Sequence, residues 1–128
     1  MRLLRDQRGS APAEFAMVGA LLTVLTLSVL QLGLALHIRN TVSDAASEGA
    51  RFAALADNRL GDGVRRTEEL ITSALGAGYA TDVRAEYGTY LGHPASIVTV
   101  RAPLPLIGLA GIDGGLEVVG HAAVETLD

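Results

Sequence analysis

The chain has no cysteine, no tryptophan and no lysine, and only 4% of its 128 residues are aromatic. Without cysteine there is no disulfide, no thiolate nucleophile and no cysteine-ligated metal site. A small domain lacking such staples is held by packing, by a membrane helix or by partner subunits. The basic residues are ten arginines, and the net charge is −4, so the electrostatic footprint of a nucleic-acid binder is missing. Gly76-Ala77-Gly78 is accompanied by no lysine and no preceding strand, so it is not a phosphate-binding loop. His93 and His121 have no carboxylate at ligand spacing, and Asp113-Gly114-Gly115 reads as a turn, so no metal is expected. No Ser/His/Asp arrangement can be read from spacing. No cofactor and no enzymatic activity are expected.

What the chain does have is an unbroken apolar run of 22 residues, Phe15 to Leu36, in which Gln31 is the strongly polar side chain. As a helix the run reaches about 33 Å, close to the thickness of a bilayer's hydrocarbon core. It is longer than the apolar region of a secretory signal peptide, and its exit, Gly33-Leu34-Ala35-Leu36-His37, offers no clean cleavage site. Arg2, Arg5 and Arg8 precede it, opposed by Asp6. This bias puts the short arm in the cytoplasm and residues 38–128 outside.

Helical spacing continues past the span. Ile38, Val42, Ala45, Ala46, Gly49, Phe52, Ala53 and Ala56 recur at three- and four-residue steps, with Arg39, Asp44, Ser47, Glu48 and Arg51 between them. One helix is therefore expected from about Ala11 to about Leu55. Residues 57–63 read as a turn, and a second helix follows near Val64 to Leu75, with Val64, Leu70, Ile71, Ala74 and Leu75 on its apolar face. From Thr81 the period changes to two, giving strands through Val83–Thr89, Ile97–Arg101 and Leu116–Glu125. Pro94 falls in the first connection, Pro103 and Pro105 close the second strand, and residues 106–115 form an apolar, Gly-rich loop. The fold class is α+β: a long N-terminal transmembrane helix extended outside the membrane, a shorter helix, and a small three-stranded antiparallel sheet. Such a thin sheet needs one face covered, and the outer half of the long helix is the natural cover.

Glu14, at the head of the apolar run, has two readings. It is a first-turn acid interacting with the helix dipole, worth about 0.3–1 kcal/mol. Or it belongs to a processing and assembly signal, meeting a cation at the membrane edge where the cost of a carboxylate is reduced. Cleavage after Gly9 would supply that cation, the amine of Ser10. Glu48 and Arg51, three apart on the exposed helix, read first as a surface pair worth about 0.2–0.5 kcal/mol, and second as contacts to a partner helix. His37 reads as an interfacial residue. Ala16, Ala20 and Ser28 allow close approach of another helix, a weak signal in an Ala-rich segment.

Basic leader, Gly9, Glu14 five places after it, Phe15 and an apolar helix together resemble a type IV prepilin signal. The likeness is closer to TadE-like pseudopilins of the tight-adherence (Flp pilus) system. It is carried by Arg8-Gly9-Ser10-Ala11-Pro12-Ala13-Glu14-Phe15-Ala16, by Gln31 to Asn40, by the Ala-rich stretch Asp44 to Ala54 with Glu48-Gly49-Ala50-Arg51, and by the valine-rich strand before Pro103-Leu104-Pro105-Leu106. Pro12 departs from the pattern; it is tolerable in a first helical turn, but it bends or delays the helix start.

The resemblance implies a pilin-like fold with residues 1–9 as a cleaved basic leader, 10–57 as transmembrane and extended helix, and 58–128 as a small extracytoplasmic α+β domain. It implies processing between Gly9 and Ser10 by a prepilin peptidase, with Glu14 and Phe15 in the signal. Its implied partners are that peptidase, other pilin-like subunits and the pilus or secretion platform, in the cell membrane. The function expected is a non-enzymatic minor pilin-like subunit. The alternative is an uncleaved signal-anchored envelope protein whose outer domain binds a ligand or scaffolds a complex.

Overall fold

The computed structural model describes residues 2–104 and 115–125, with side chains from Gly9 onward. Pro105, residues 106–114 of the expected loop (Asp113 and Gly114 included), and the side chains of Arg2, Arg5, Asp6 and Arg8 lie outside the described residues. The elements are α1 (Arg2–Ala54), α2 (Leu60–Leu75), a single 3₁₀ turn (Ala77–Tyr79), β1 (Asp82–Tyr90), β2 (His93–Pro103) and β3 (Gly115–Ala123). This is the expected α+β arrangement of one long helix, one shorter helix and a three-stranded antiparallel sheet. The chain divides into two compact units, Met1–Leu34 and Ala35–Asp128, and α1 contributes to both.

The first unit is helical and apolar. Phe15, Leu21, Leu25, Leu30 and Leu32 are all more than half exposed. Thr23 and Ser28 return their hydroxyls to their own helix, Thr23 Oγ1 donating to the Gly19 carbonyl at 2.8 Å and Ser28 Oγ to the Val24 carbonyl at 2.7 Å. Such back-bonding removes two polar groups from an apolar surface. The helix starts before the expected Ala11, at Arg2, and passes through Pro12. A proline removes one donor without ending a helix whose neighbours are good helix formers.

In the second unit the sheet order is β1-β2-β3, antiparallel throughout. The register opposes Val83 to Val100, Ala85 to Val98, Val100 to Val118 and Ala102 to Leu116. These residues point to one face, and that face meets α1, as expected. Ile38, Val42, Ala46 and Ala50 of α1 join Val98, Val100, Leu116 and Val118 in one core, with Ile71 of α2. Burying each of the large aliphatics is worth about 1.5–3 kcal/mol. Ser96 is also fully buried, and its hydroxyl donates to the Ala50 carbonyl at 2.6 Å, fastening β2 to α1.

Several boundaries differ from the sequence reading. α2 begins at Leu60 and not Val64, because the Asp62 carboxylate accepts the Arg59 N–H at 2.8 Å and so secures a first turn taken for loop. Pro94 lies inside β2, paired with Thr89, and not in the connection. Its carbonyl accepts the Val124 N–H at 3.0 Å. The connection is Leu91-Gly92, with φ of 52° and 80°, the double positive φ of a two-residue hairpin turn that matches strand twist. The third strand stops at Ala123, two residues short of Glu125.

α1 ends where three groups take its last carbonyls and the next N–H. Asn58 Nδ2 donates to the Phe52 carbonyl at 2.8 Å, and the Glu125 N–H donates to the Ala54 carbonyl at 2.8 Å. The Ala56 N–H donates to Glu125 Oε2 at 3.2 Å.

Candidate processing and assembly site

Gly9 and Ser10 sit within the helical backbone of α1, Gly9 exposed and Ser10 half-buried. Pro12 follows closely, and because it has no N–H the Arg8 carbonyl lacks its donor four residues on. A glycine and a missing hydrogen bond thus flank the Gly9–Ser10 bond. Both lower the cost of opening one turn of helix there. Glu14 and Phe15 are exposed, Phe15 at 81%. Among the described residues Glu14 makes no hydrogen bond or ion pair. Ser10 and Glu14 are four apart, so they share one helix face. Between Gly9 and Ala54, α1 is long and apolar enough to cross a membrane, with a mean hydropathy of 2.1 over its most apolar stretch.

Glu48 and Arg51 are not paired with each other. Glu48 is half-buried and Arg51 exposed. Both line a groove of about 470 Å³ with Thr41, Asp44, Leu70 and Ala74. The surface pair expected from their spacing is therefore not made: the two side chains flank the line along which α2 crosses α1. Their neighbours in the same stretch do the structural work that sequence reasoning missed. Gly49 lies against Gly63 and Thr67 of α2: a Cβ on Gly49 would overlap the Thr67 hydroxyl and stand 2.8 Å from the Gly63 carbonyl oxygen. A Cβ on Gly63 would stand 2.6 Å from the Ala53 Cβ and 2.7 Å from the Gly49 carbonyl oxygen. The helices cross at backbone contact, which only two glycines allow. On the sheet side of the same helix, a Cβ on Gly120 would stand 2.5 Å from the Ala46 carbonyl. The buried face of α2 is accordingly Gly63, Thr67 and Ile71, rotated from the expected Val64 and Ala74. The signal available in the sequence was a glycine at each crossing position; hydropathy hid it, since glycine and threonine score as neutral.

Asp62 is the titratable group with a shifted pKa among the described residues. The Arg59 backbone N–H, then Arg65, hold its carboxyl below the ordinary value of 3.8 against an opposing desolvation. His37 is exposed on α1, His93 is exposed at the start of β2, and the His121 ring stacks on Tyr90 with centroids 4.4 Å apart. Among the described residues no three His, Asp or Glu side chains are grouped to hold a metal.

Residues 9–51, about a third of the chain, match the family model described as TadE-like protein. The resemblance drawn from the Gly9–Phe15 segment and the Glu48–Arg51 stretch is borne out over those residues. No curated protein and no solved structure matches the chain.

Proposed function

We propose that this chain, TadE-like over residues 9–51, is a non-enzymatic minor pilin-like subunit of a tight-adherence pilus or related secretion apparatus. The observation that carries the reading is the continuity of the matched segment. It opens on Gly9, Glu14 and Phe15, runs through a membrane-length apolar helix, and ends at Arg51 in the helix on which the sheet is built. One element thus joins a processing signal, a membrane anchor and the core of an outer domain. In this reading a prepilin peptidase cuts between Gly9 and Ser10, the N-terminus is cytoplasmic, and residues 38–128 are extracytoplasmic. The new Ser10 amine then pairs with a Glu14 carboxylate. Because Ser10 and Glu14 share a face within one chain, the same geometry serves a pair with the helix of a different pilin-like subunit shifted by one turn. In the low dielectric of lipid such a pair is far stronger than in water.

N-terminal sequencing of the membrane-purified protein, from cells that contain a prepilin peptidase, tests the reading. A mature chain that begins at Ser10 supports it. A chain that keeps the leader refutes processing and favours the alternative, an uncleaved signal-anchored envelope protein. The unbroken helix through Gly9 and Ser10 is the observation on that side.

A further inference from the structure

From the position of Gln31 we infer a homotypic membrane contact: a second copy of this helix pairs with it, carboxamide to carboxamide, at Gln31. The inference rests on the reading of residues 15–36 as a membrane span. Gln31 lies five residues before Leu36, about 8 Å inside the apolar run, and its side chain is only half-buried. Among the described residues its carboxamide makes no hydrogen bond. The hydroxyls of Thr23 and Ser28 show how a small polar group is satisfied in this helix, by bonding back to its own backbone. A hydroxyl carries one donor and can rotate onto a carbonyl. A carboxamide carries two donors and an acceptor; a donor can use a carbonyl's second lone pair, but the oxygen finds no free N–H on a helix whose N–H groups are already paired. In hydrocarbon each unmet group is costly, and an intramembrane polar side chain therefore points to a partner.

Two features identify that partner as a second copy. A carboxamide is complementary to itself, since each member of a pair donates one N–H and accepts another. Copies inserted in the same orientation also place the group at the same depth without any further design, whereas an unrelated helix must have matched it. The face that carries Gln31 also carries Val24, Leu27 and Ser28 at helical spacing, and Ser28, one turn below, is small enough for close approach. A single buried polar pair of this kind fixes register.

The absence of cysteine makes a direct test simple, because any introduced cysteine is unique. The full-length chain is reconstituted in lipid vesicles, and disulfide cross-linking is followed for Leu27→Cys and Ser28→Cys on the Gln31 face and for Leu22→Cys and Val29→Cys on the opposite face. Efficient cross-linking confined to the first pair is the expected result. Adding Gln31→Leu, which makes the span more apolar and leaves insertion intact, should weaken association about three- to thirtyfold, the range that interhelical hydrogen bonds in membranes span. Gln31→Asn, which keeps the carboxamide, should restore most of it. Cross-linking that ignores the face, or that is unchanged by Gln31→Leu, overturns the inference. Labelling of Leu22→Cys by a water-soluble maleimide in intact vesicles would instead refute the span itself. Neither result bears on where the leader is cut, so failure of the helix pair and failure of the pilin-like reading are separable.

Discussion

Replacing Gly49 with alanine puts the helix crossing to the test. In an isolated helix this change stabilises by about 0.5–1 kcal/mol, because glycine loses more backbone freedom on folding. Here the added methyl overlaps the Thr67 hydroxyl and stands 2.8 Å from the Gly63 carbonyl oxygen. Neither neighbour can yield easily. Thr67 is fully buried with its hydroxyl bound to the Gly63 carbonyl at 2.8 Å, and the second contact is backbone. Overpacking of this kind costs about 1–3 kcal/mol, so the crossing wins over propensity and Gly49→Ala should destabilise by about 1–2 kcal/mol. For a unit of this size the unfolding midpoint falls by about 5–15 °C. The membrane-length part of α1 keeps its helicity when the rest unfolds, so far-UV ellipticity is a poor probe. The near-UV signal of the three tyrosines is a better one, because there is no tryptophan and Tyr79 packs against the core. Thr67→Ala should cost stability alone yet make Gly49→Ala cheaper by about 1 kcal/mol, a coupling expected of groups in contact. Unchanged or raised stability in Gly49→Ala, or strict additivity with Thr67→Ala, would refute the crossing.

Pro12→Ala restores a hydrogen bond next to the Gly9–Ser10 bond and removes a residue about 3 kcal/mol unfavourable inside a helix; processing should slow, as followed by the ratio of uncut to cut chain in a pulse-chase. Equal or faster cutting would show that local helix opening does not limit the step. Glu14→Ala should leave insertion and cutting intact and reduce co-purification with the assembly platform, while Glu14→Asp falls between; full recovery with the platform would make Glu14 an ordinary exposed acid, since α1 starts at Arg2 and Glu14 is not in its first turn. Asp62 has a folded pKa below its ordinary 3.8, so its contribution is present above that value and is lost as pH falls through the lower folded one. Asp62→Asn should therefore lessen the loss of stability on acidification below about pH 4, read as the change in unfolding midpoint across that window; an unaltered acid limb would remove the cap from the account.

The long helix was legible because its signal is strong and local. Twenty-two apolar residues have no other economical structure, and the three-and-four spacing of Ile38, Val42 and Ala46 names the face that the sheet covers. The strands were legible from alternation, and their inner residues Val98, Val100 and Val118 are the ones buried. The Pro94 misplacement came from treating proline as strand-breaking. Within β2 it spends no donor, and its carbonyl still serves the ladder side that needs it. The start of α2 was missed because Arg59-x-x-Asp62 lacks the small polar N-cap that usually marks a helix.

Sequence alone determined the α+β fold class, the membrane-length helix and the TadE-like likeness that the family match covers over residues 9–51, since each depends on neighbours in the chain and on hydropathy at short range. Tertiary structure alone decided what the Glu48–Arg51 stretch is for within this chain. Its outer members, Glu48 and Arg51, line a groove, while Gly49 and Ala50 set the distance at which α1 meets α2 and β2. That division has a physical reason. How near two backbones come is fixed by absent or minimal side chains, Gly49 against Gly63 and Gly120 against the Ala46 backbone, and no one-dimensional pattern records which small residue will face which.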